Sequence, residues 1–217
     1  MATRPVLKSN HALPSPIRGF EHINRYWDKN LKVPAAKILP GQFYVSKSGE
    51  VIATVLGSCI SACIRDKIKG IGGMNHFMLP STSAGSSDSW QNSNVSLPLR
   101  YGEWAMEFLI NEILKNGGKK QNFEVKIFGG GKILQNMTDI GERNIRFVLE
   151  FLEREGLSIE SRDIGDFCPR KVLYFSDTGK VKLKRLRSIH NDTIEKREKA
   201  YIQEISQEPA AGDVELF

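Results

Sequence analysis

The chain has 217 residues, 40% hydrophobic and 26% charged, with a formal net charge of +6. That length supports one sizeable domain with its own core plus tails, and the composition excludes a fibrous, low-complexity or disulfide-stapled chain. No apolar run approaches the roughly 20 residues of a membrane span, no signal-peptide apolar stretch opens the chain, and three irregularly spaced cysteines suit a reducing compartment, so a cytoplasmic location is expected.

In chain order, residues 1–34 mix Pro5, Pro14, Pro16 and Pro34 with polar and basic residues and read as a largely irregular N-terminal extension, within which 20–27 could form a short helix. His11 and His22 lie there without Cys or acidic neighbours at metal-ligand spacing. A domain is expected over 35–188. It starts with a strand at 42–45 between the Pro40-Gly41 and Ser48-Gly49 turns, then a strand at 51–56. Ile60, Ala62 and Ile64 continue as a strand or a short buried helix. The serine-rich stretch 81–96 reads as a loop, either a flap facing a substrate or a disordered insertion. Residues 100–116 form a helix with Ala105, Met106, Leu109, Ile110, Ile113 and Leu114 on one face and Gly117-Gly118 as its stop.

A strand at 123–128 then runs into Gly129-Gly130-Gly131, which lacks phosphate-loop spacing and reads as close backbone packing. A second helix at 141–156 turns Ile145, Val148, Leu149 and Leu152 inward, and strands follow at 157–164, 171–176 and 181–186, the last two joined by a hairpin at 177–179. Residues 189–217, with His190 at their start, read as a polar C-terminal tail, helix-prone and then loose. Mixed strands with two amphipathic helices and no regular βαβ repeat give an α+β class, a layered sandwich of mixed β-sheets with flanking helices.

The chemistry-bearing stretch is 54–80, TVLGSCISACIRDKIKGIGGMNHFMLP. Gly57-Ser58 breaks the strand where Cys59 appears, which puts Cys59 at a strand end or on the first turn of a helix. Free backbone N–H groups there favour a thiolate, and those around Gly57 and Ser58 offer an oxyanion site. His76, on an otherwise buried strand entering a loop at Pro80, supplies a base. Cys59 and His76 are therefore the candidate catalytic pair.

On residue types alone the alternatives stay open. A free cysteine is commonly a small buried hydrophobe, the reading given to Cys63 and Cys168, and a lone histidine in an apolar run is commonly a hydrogen-bonded core residue. A zinc site at Cys59, Cys63 and His76 lacks a fourth ligand, so no metal and no cofactor are assigned. Lys180, Lys182, Lys184, Arg185, Arg187, Lys196, Arg197 and Lys199 hold much of the basic excess, followed by the acidic Glu204, Glu208, Asp213 and Glu215. The basic run reads as a solvated surface or a dock for an acidic protein. No aromatics interleave with it, so no nucleic acid is assigned.

The strings LGSC at 56–59, GGMNHFMLP at 72–80, RYGEWAME at 100–107, FGGG at 128–131 and IGERN at 140–144 resemble, in order and spacing, CheD, the chemoreceptor glutamine deamidase family. The resemblance implies layered helices and mixed sheets, related to the cysteine-dependent bacterial toxin deamidases. It also implies a reaction without a cofactor, in which Cys59, its proton taken by His76, attacks the side-chain amide of particular glutamines in methyl-accepting chemoreceptors. Ammonia and a methylatable glutamate result, as a step of chemotactic adaptation. In the family a threonine commonly six residues before the cysteine orients the histidine, and Ala53 holds that position here. Either Thr54 takes the role through a local shift, or another group such as a backbone carbonyl orients His76; Asn75 is a further candidate. The implied partners are the cytoplasmic region of chemoreceptors and, in some bacteria, the phosphatase CheC, without membrane insertion. Two other classes remain open: a non-catalytic adaptor binding receptors or CheC, and a cysteine hydrolase or methylesterase with another substrate.

Overall fold

The computed structural model describes residues 12–79, 97–133, 140–186 and 191–207. The loop expected at 81–96, His11, His190 and the acidic end of the tail lie outside the described residues. In chain order the strands and α-helices are β1 (Asn24–Asp28), β2 (Val33–Lys37), β3 (Phe43–Ser46), β4 (Val51–Leu56), β5 (Ile60–Asp66), β6 (Ile71–Asn75), α1 (Leu97–Lys115), β7 (Phe123–Gly129), α2 (Ile140–Arg154), β8 (Ile159–Ile164), β9 (Arg170–Phe175), β10 (Val181–Arg185) and α3 (Asn191–Gln207).

The strands make two five-stranded sheets, ordered β1-β2-β4-β9-β10 and β3-β6-β5-β7-β8. Each sheet is mixed, with β2–β4 and β7–β8 parallel and the remaining pairs antiparallel. This is the expected α+β layout. β4 and β5 sit at the centres of the two sheets and read as near-continuous apolar runs, VIATVL and ISACIRD, because both of their faces are covered. The peripheral β8 and β10 have no fully buried residue.

One hydrophobic core takes Ile52, Leu56 and Tyr174 from the first sheet, Ile64, Met74 and Val125 from the second, and residues of all three helices. Both stops expected for α1 and α2 are present. Gly117 and Gly156 adopt positive φ, and the paired bonds Gly118 N–H to Ile113 carbonyl with Gly117 N–H to Leu114 carbonyl, and Leu157 N–H to Leu152 carbonyl with Gly156 N–H to Glu153 carbonyl, satisfy the helix ends. The buried stripe of α2 is carried by Phe147, Val148, Phe151 and Leu152, whereas Ile145 and Leu149 are half-buried. Among the described residues no helix is long and apolar enough to cross a membrane.

The N-terminal end departs from expectation, and the C-terminal tail is helical as expected but packs into the core. Residues 20–27 form a turn and β1 instead of a short helix, and β1 and β2 add to the sheet that contains β4. Tyr26 and Trp27 favour that pairing, and Phe20 anchors it by packing edge-on against Phe43 and Tyr44, with ring centroids 5.1 and 5.2 Å apart. Arg25 of β1 pairs at 2.7 Å with Glu50, which is 1% exposed. Glu50 also accepts from the Tyr44 hydroxyl at 2.6 Å. At the other end the helix-prone tail forms α3, which is not peripheral but buries Ile194, Glu198, Tyr201, Ile202 and Ile205.

Removing Arg25 leaves a buried carboxylate without its cation, so Arg25→Met is expected to lower stability by about 3 kcal/mol. Urea unfolding checks this, and adding Glu50→Gln should recover part of the loss.

Candidate active site

Because β4 and β5 belong to different sheets, Gly57, Ser58 and Cys59 carry the chain from one to the other. This crossover is held from two sides. The N–H groups of Gly130 and Gly131 donate to the carbonyls of Cys59 and Gly57, each at 2.7 Å. Asn144 of α2 donates from Nδ2 to the Ser58 carbonyl at 2.8 Å and accepts the Leu79 N–H at 2.9 Å. Gly129 has φ +112°, and a Cβ there would run into the Cys59 carbonyl, so the glycine turn expected to be close packing presses directly on the crossover.

His76 follows the end of β6. Its N–H donates to the Gln42 carbonyl at 2.9 Å, and the next residue, Phe77, exchanges both backbone bonds with Ile60 at 2.9 Å. In that antiparallel register Cys59 and His76 are diagonal neighbours on one face. Thr54 reaches the ring from the other sheet. Its Oγ1 lies 2.7 Å from His76 Nδ1 and donates to the Ile38 carbonyl at 2.9 Å. A threonine hydroxyl has one proton. With that proton given to a carbonyl, which can only accept, Nδ1 must be the donor and Nε2 keeps a bare lone pair. Nε2 is buried and has no hydrogen-bond partner among the described residues.

Ala53 projects from the opposite face of β4. Asn75 spends its side chain on the Ala62 N–H at 2.8 Å and the Ala105 carbonyl at 2.9 Å. Thr54 is thus the side chain that holds the ring. Burial, with the nearby Arg197 guanidinium, holds His76 down to about 3.

The Cys59 thiol is completely buried, and its polar neighbour is Glu198 of α3 rather than His76. Burial first, and then that carboxylate, push the thiol well above its ordinary range. Glu198, itself 0% exposed, accepts from the N–H groups of Gly57 and Ser58 at 2.9 Å each and from Ser58 Oγ at 2.6 Å. The amides expected to receive an oxyanion therefore already hold an anionic oxygen.

Cys63 is buried in β5 as expected. Cys168 is not: it is partly exposed on the turn between β8 and β9, its sulfur 3.8 Å from Asp166. Among the described residues no three His, Cys, Asp or Glu side chains are grouped to hold a metal. A cleft of about 260 Å³ reaches His76 between β3 and α1, lined in part by Phe43, Tyr101, Trp104 and Phe108.

A family model described as CheD chemotactic sensory transduction matches residues 78–185. A protein of Halorhodospira halophila is 50% identical over 94% of this chain and 94% of its own length. Proteins of Saccharophagus degradans and Hahella chejuensis are each 48% identical, over 97% of both chains in the first case and over 94% of this chain and 95% of the relative in the second. All three are named "Probable chemoreceptor glutamine deamidase CheD".

The chain belongs to the CheD family.

The strings that carry the CheD likeness, separate in sequence, converge on this site. LGSC forms the crossover, GGMNHFMLP carries His76, FGGG packs on the Cys59 carbonyl, IGERN supplies Asn144, and RYGEWAME supplies the Ala105 carbonyl that fixes Asn75. Asn144 is visible in the sequence only as part of a string. There Arg197 reads as a solvated charge and Glu198 as part of a polar tail, whereas in the fold Arg197 donates to the Val55 carbonyl at 2.7 Å. The signal that could have found them is the spacing of Ile194, Tyr201, Ile202 and Ile205, an apolar stripe with Glu198 in its middle.

Because His76 binds its proton near pH 3 when folded and near the ordinary 6.5 when unfolded, the unfolded chain binds more protons between those values and stability falls as pH is lowered through that window. From pH 6 to 4.5 the wild type is expected to lose about 2 kcal/mol more than His76→Gln. Urea midpoints of both proteins at the two pH values check this.

Proposed function

We propose that this chain is a protein-glutamine deamidase acting on chemoreceptors, with Cys59 as nucleophile, His76 as general acid and base, and Thr54 as the residue that positions His76. The observation that carries the reading is the Thr54–His76 hydrogen bond, which leaves an unprotonated Nε2 on the face shared with Cys59, next to amides suited to an oxyanion. The names borne by the relatives agree with it.

In this scheme Nε2 takes the thiol proton and the sulfur bonds to the side-chain carbonyl carbon of a substrate glutamine. The resulting oxyanion is received by the N–H groups of Gly57 and Ser58, donors of a kind worth about 3 kcal/mol each in acyl transfer. The C–N bond breaks as the imidazolium returns its proton to nitrogen, and ammonia leaves. Water, deprotonated by Nε2, then hydrolyses the thioester, giving glutamate and restoring the thiol. Neither metal nor redox partner enters the balance.

The test is ammonia release from a chemoreceptor cytoplasmic fragment, with the mass gain of about one dalton that exchange of NH2 for OH brings. Wild type should produce both, and Cys59→Ala and His76→Ala neither. Thr54→Val should lower kcat by roughly 10- to 100-fold and Thr54→Ser should restore most of it, since the hydroxyl and not the fold is what serine keeps. Ammonia at the wild-type rate from Cys59→Ala would overturn the reading. Receptor binding without ammonia from any form would favour an adaptor.

A further inference from the structure

α3 is seated by residues buried at helical intervals: Ile194, Glu198, Tyr201, Ile202 and Ile205. Four of these are what any packed helix offers. The fifth is a carboxylate, whose burial is costly unless its oxygens are fully bonded. Here both oxygens are spent on the turn that carries the candidate nucleophile. Gly57 leaves room for this contact, because a Cβ there would run into Ile133 and would stand 2.7 and 2.8 Å from the two Glu198 oxygens. Arg197 clamps the helix to the Val55 carbonyl, and the Tyr201 hydroxyl meets that of Tyr101, which lines the cleft at His76.

We propose that α3 is an internal product mimic that closes the site, its Glu198 side chain standing where the glutamate made from a substrate glutamine would stand, and that a substrate helix must displace α3 to react. The proposal rests on the deamidase reading above. Glutamate is the product of that reaction, and the seat places a helix-borne glutamate carboxylate on the two amides assigned to the oxyanion, against the thiol that would attack. Closure blocks the chemistry three ways. The amides are filled, the thiol is covered, and the adjacent negative charge keeps the proton on sulfur. Moving α3 away would return water to Cys59 and His76 and bare the two N–H groups. The occupant that fits the vacated seat is one amphipathic helix with a glutamine inside its apolar stripe.

The test uses full-length protein and three readouts. First, iodoacetamide labelling mapped by peptide mass should modify Cys59 about tenfold or more faster in Glu198→Ala and in Tyr201→Ala than in wild type, with buried Cys63 as the internal control. Second, Glu198→Ala should raise kcat/KM on a receptor fragment several-fold, because the substrate no longer competes with an internal helix. Third, Glu198→Gln places a carboxamide in the site. That carboxamide should be hydrolysed back to glutamate with ammonia release, at a rate independent of protein concentration, and should persist when Cys59→Ala is added. Unchanged Cys59 labelling in both folded alanine variants overturns the closure. Persistence of the carboxamide in a Glu198→Gln protein able to deamidate the receptor fragment overturns the product mimicry. Faster Cys59 labelling with no deamidation of either substrate leaves α3 as the cover of Cys59 and sinks the deamidase reading instead.

Discussion

One hydrogen bond, from His76 Nδ1 to Thr54 Oγ1, is the contact on which the candidate site depends, because it joins the two sheets at the point where their chemistry meets. Thr54 sits at the centre of one sheet, and His76 leaves a strand of the other. Two rigid, fully covered strands therefore fix the ring, whereas a loop would leave it free to turn. The Ile38 carbonyl completes the arrangement by taking the threonine's only proton. The bare lone pair at Nε2 is thus set from two hydrogen bonds away, by the Ile38 backbone carbonyl acting through Thr54.

The rest of the fold supplies what that bond cannot. Carrying the chain between the sheets forces a turn at Gly57, Ser58 and Cys59, and the turn exposes consecutive N–H groups beside the sulfur. α2 and the glycine turn after β7 pin its carbonyls. Burial first, and then Glu198, drives the thiol toward its protonated form, and burial first, and then Arg197, drives His76 toward its neutral form. Glu198 and Arg197 both belong to α3, so one helix adds a charge beside each partner of the candidate pair.

Much of this is legible in sequence where local rules decide the structure. Strand positions follow from apolar runs punctuated by Gly and Pro, and the ends of α1 and α2 follow from Gly117 and Gly156. Cys59 stands out through the break at Gly57-Ser58, and His76 as a polar residue in a buried run. The contact between Thr54 and His76 is undecided in sequence because it joins different sheets, and no local pattern specifies how two sheets face each other. The packing of the two ends of the chain is not legible for a related reason. β1 is stabilised by the long-range Arg25–Glu50 pair and by Phe20 on Phe43, and α3 by the amides of a turn 140 residues away. Polar composition suggests solvent exposure, while the hydrogen-bond partners of Arg197 and Glu198 lie in a distant part of the sequence.

The most direct test of the central claim is the tautomer of His76, read from the ring nitrogen resonances of histidine-labelled protein by 15N NMR at neutral pH. The expected result is a neutral ring with the proton on Nδ1, Nε2 at the unprotonated position, and loss of that fixed tautomer in Thr54→Val. A neutral ring with its proton on Nε2 would contradict it, because Nε2 could then not take a proton from Cys59, and an imidazolium at neutral pH would contradict the burial that keeps the ring uncharged.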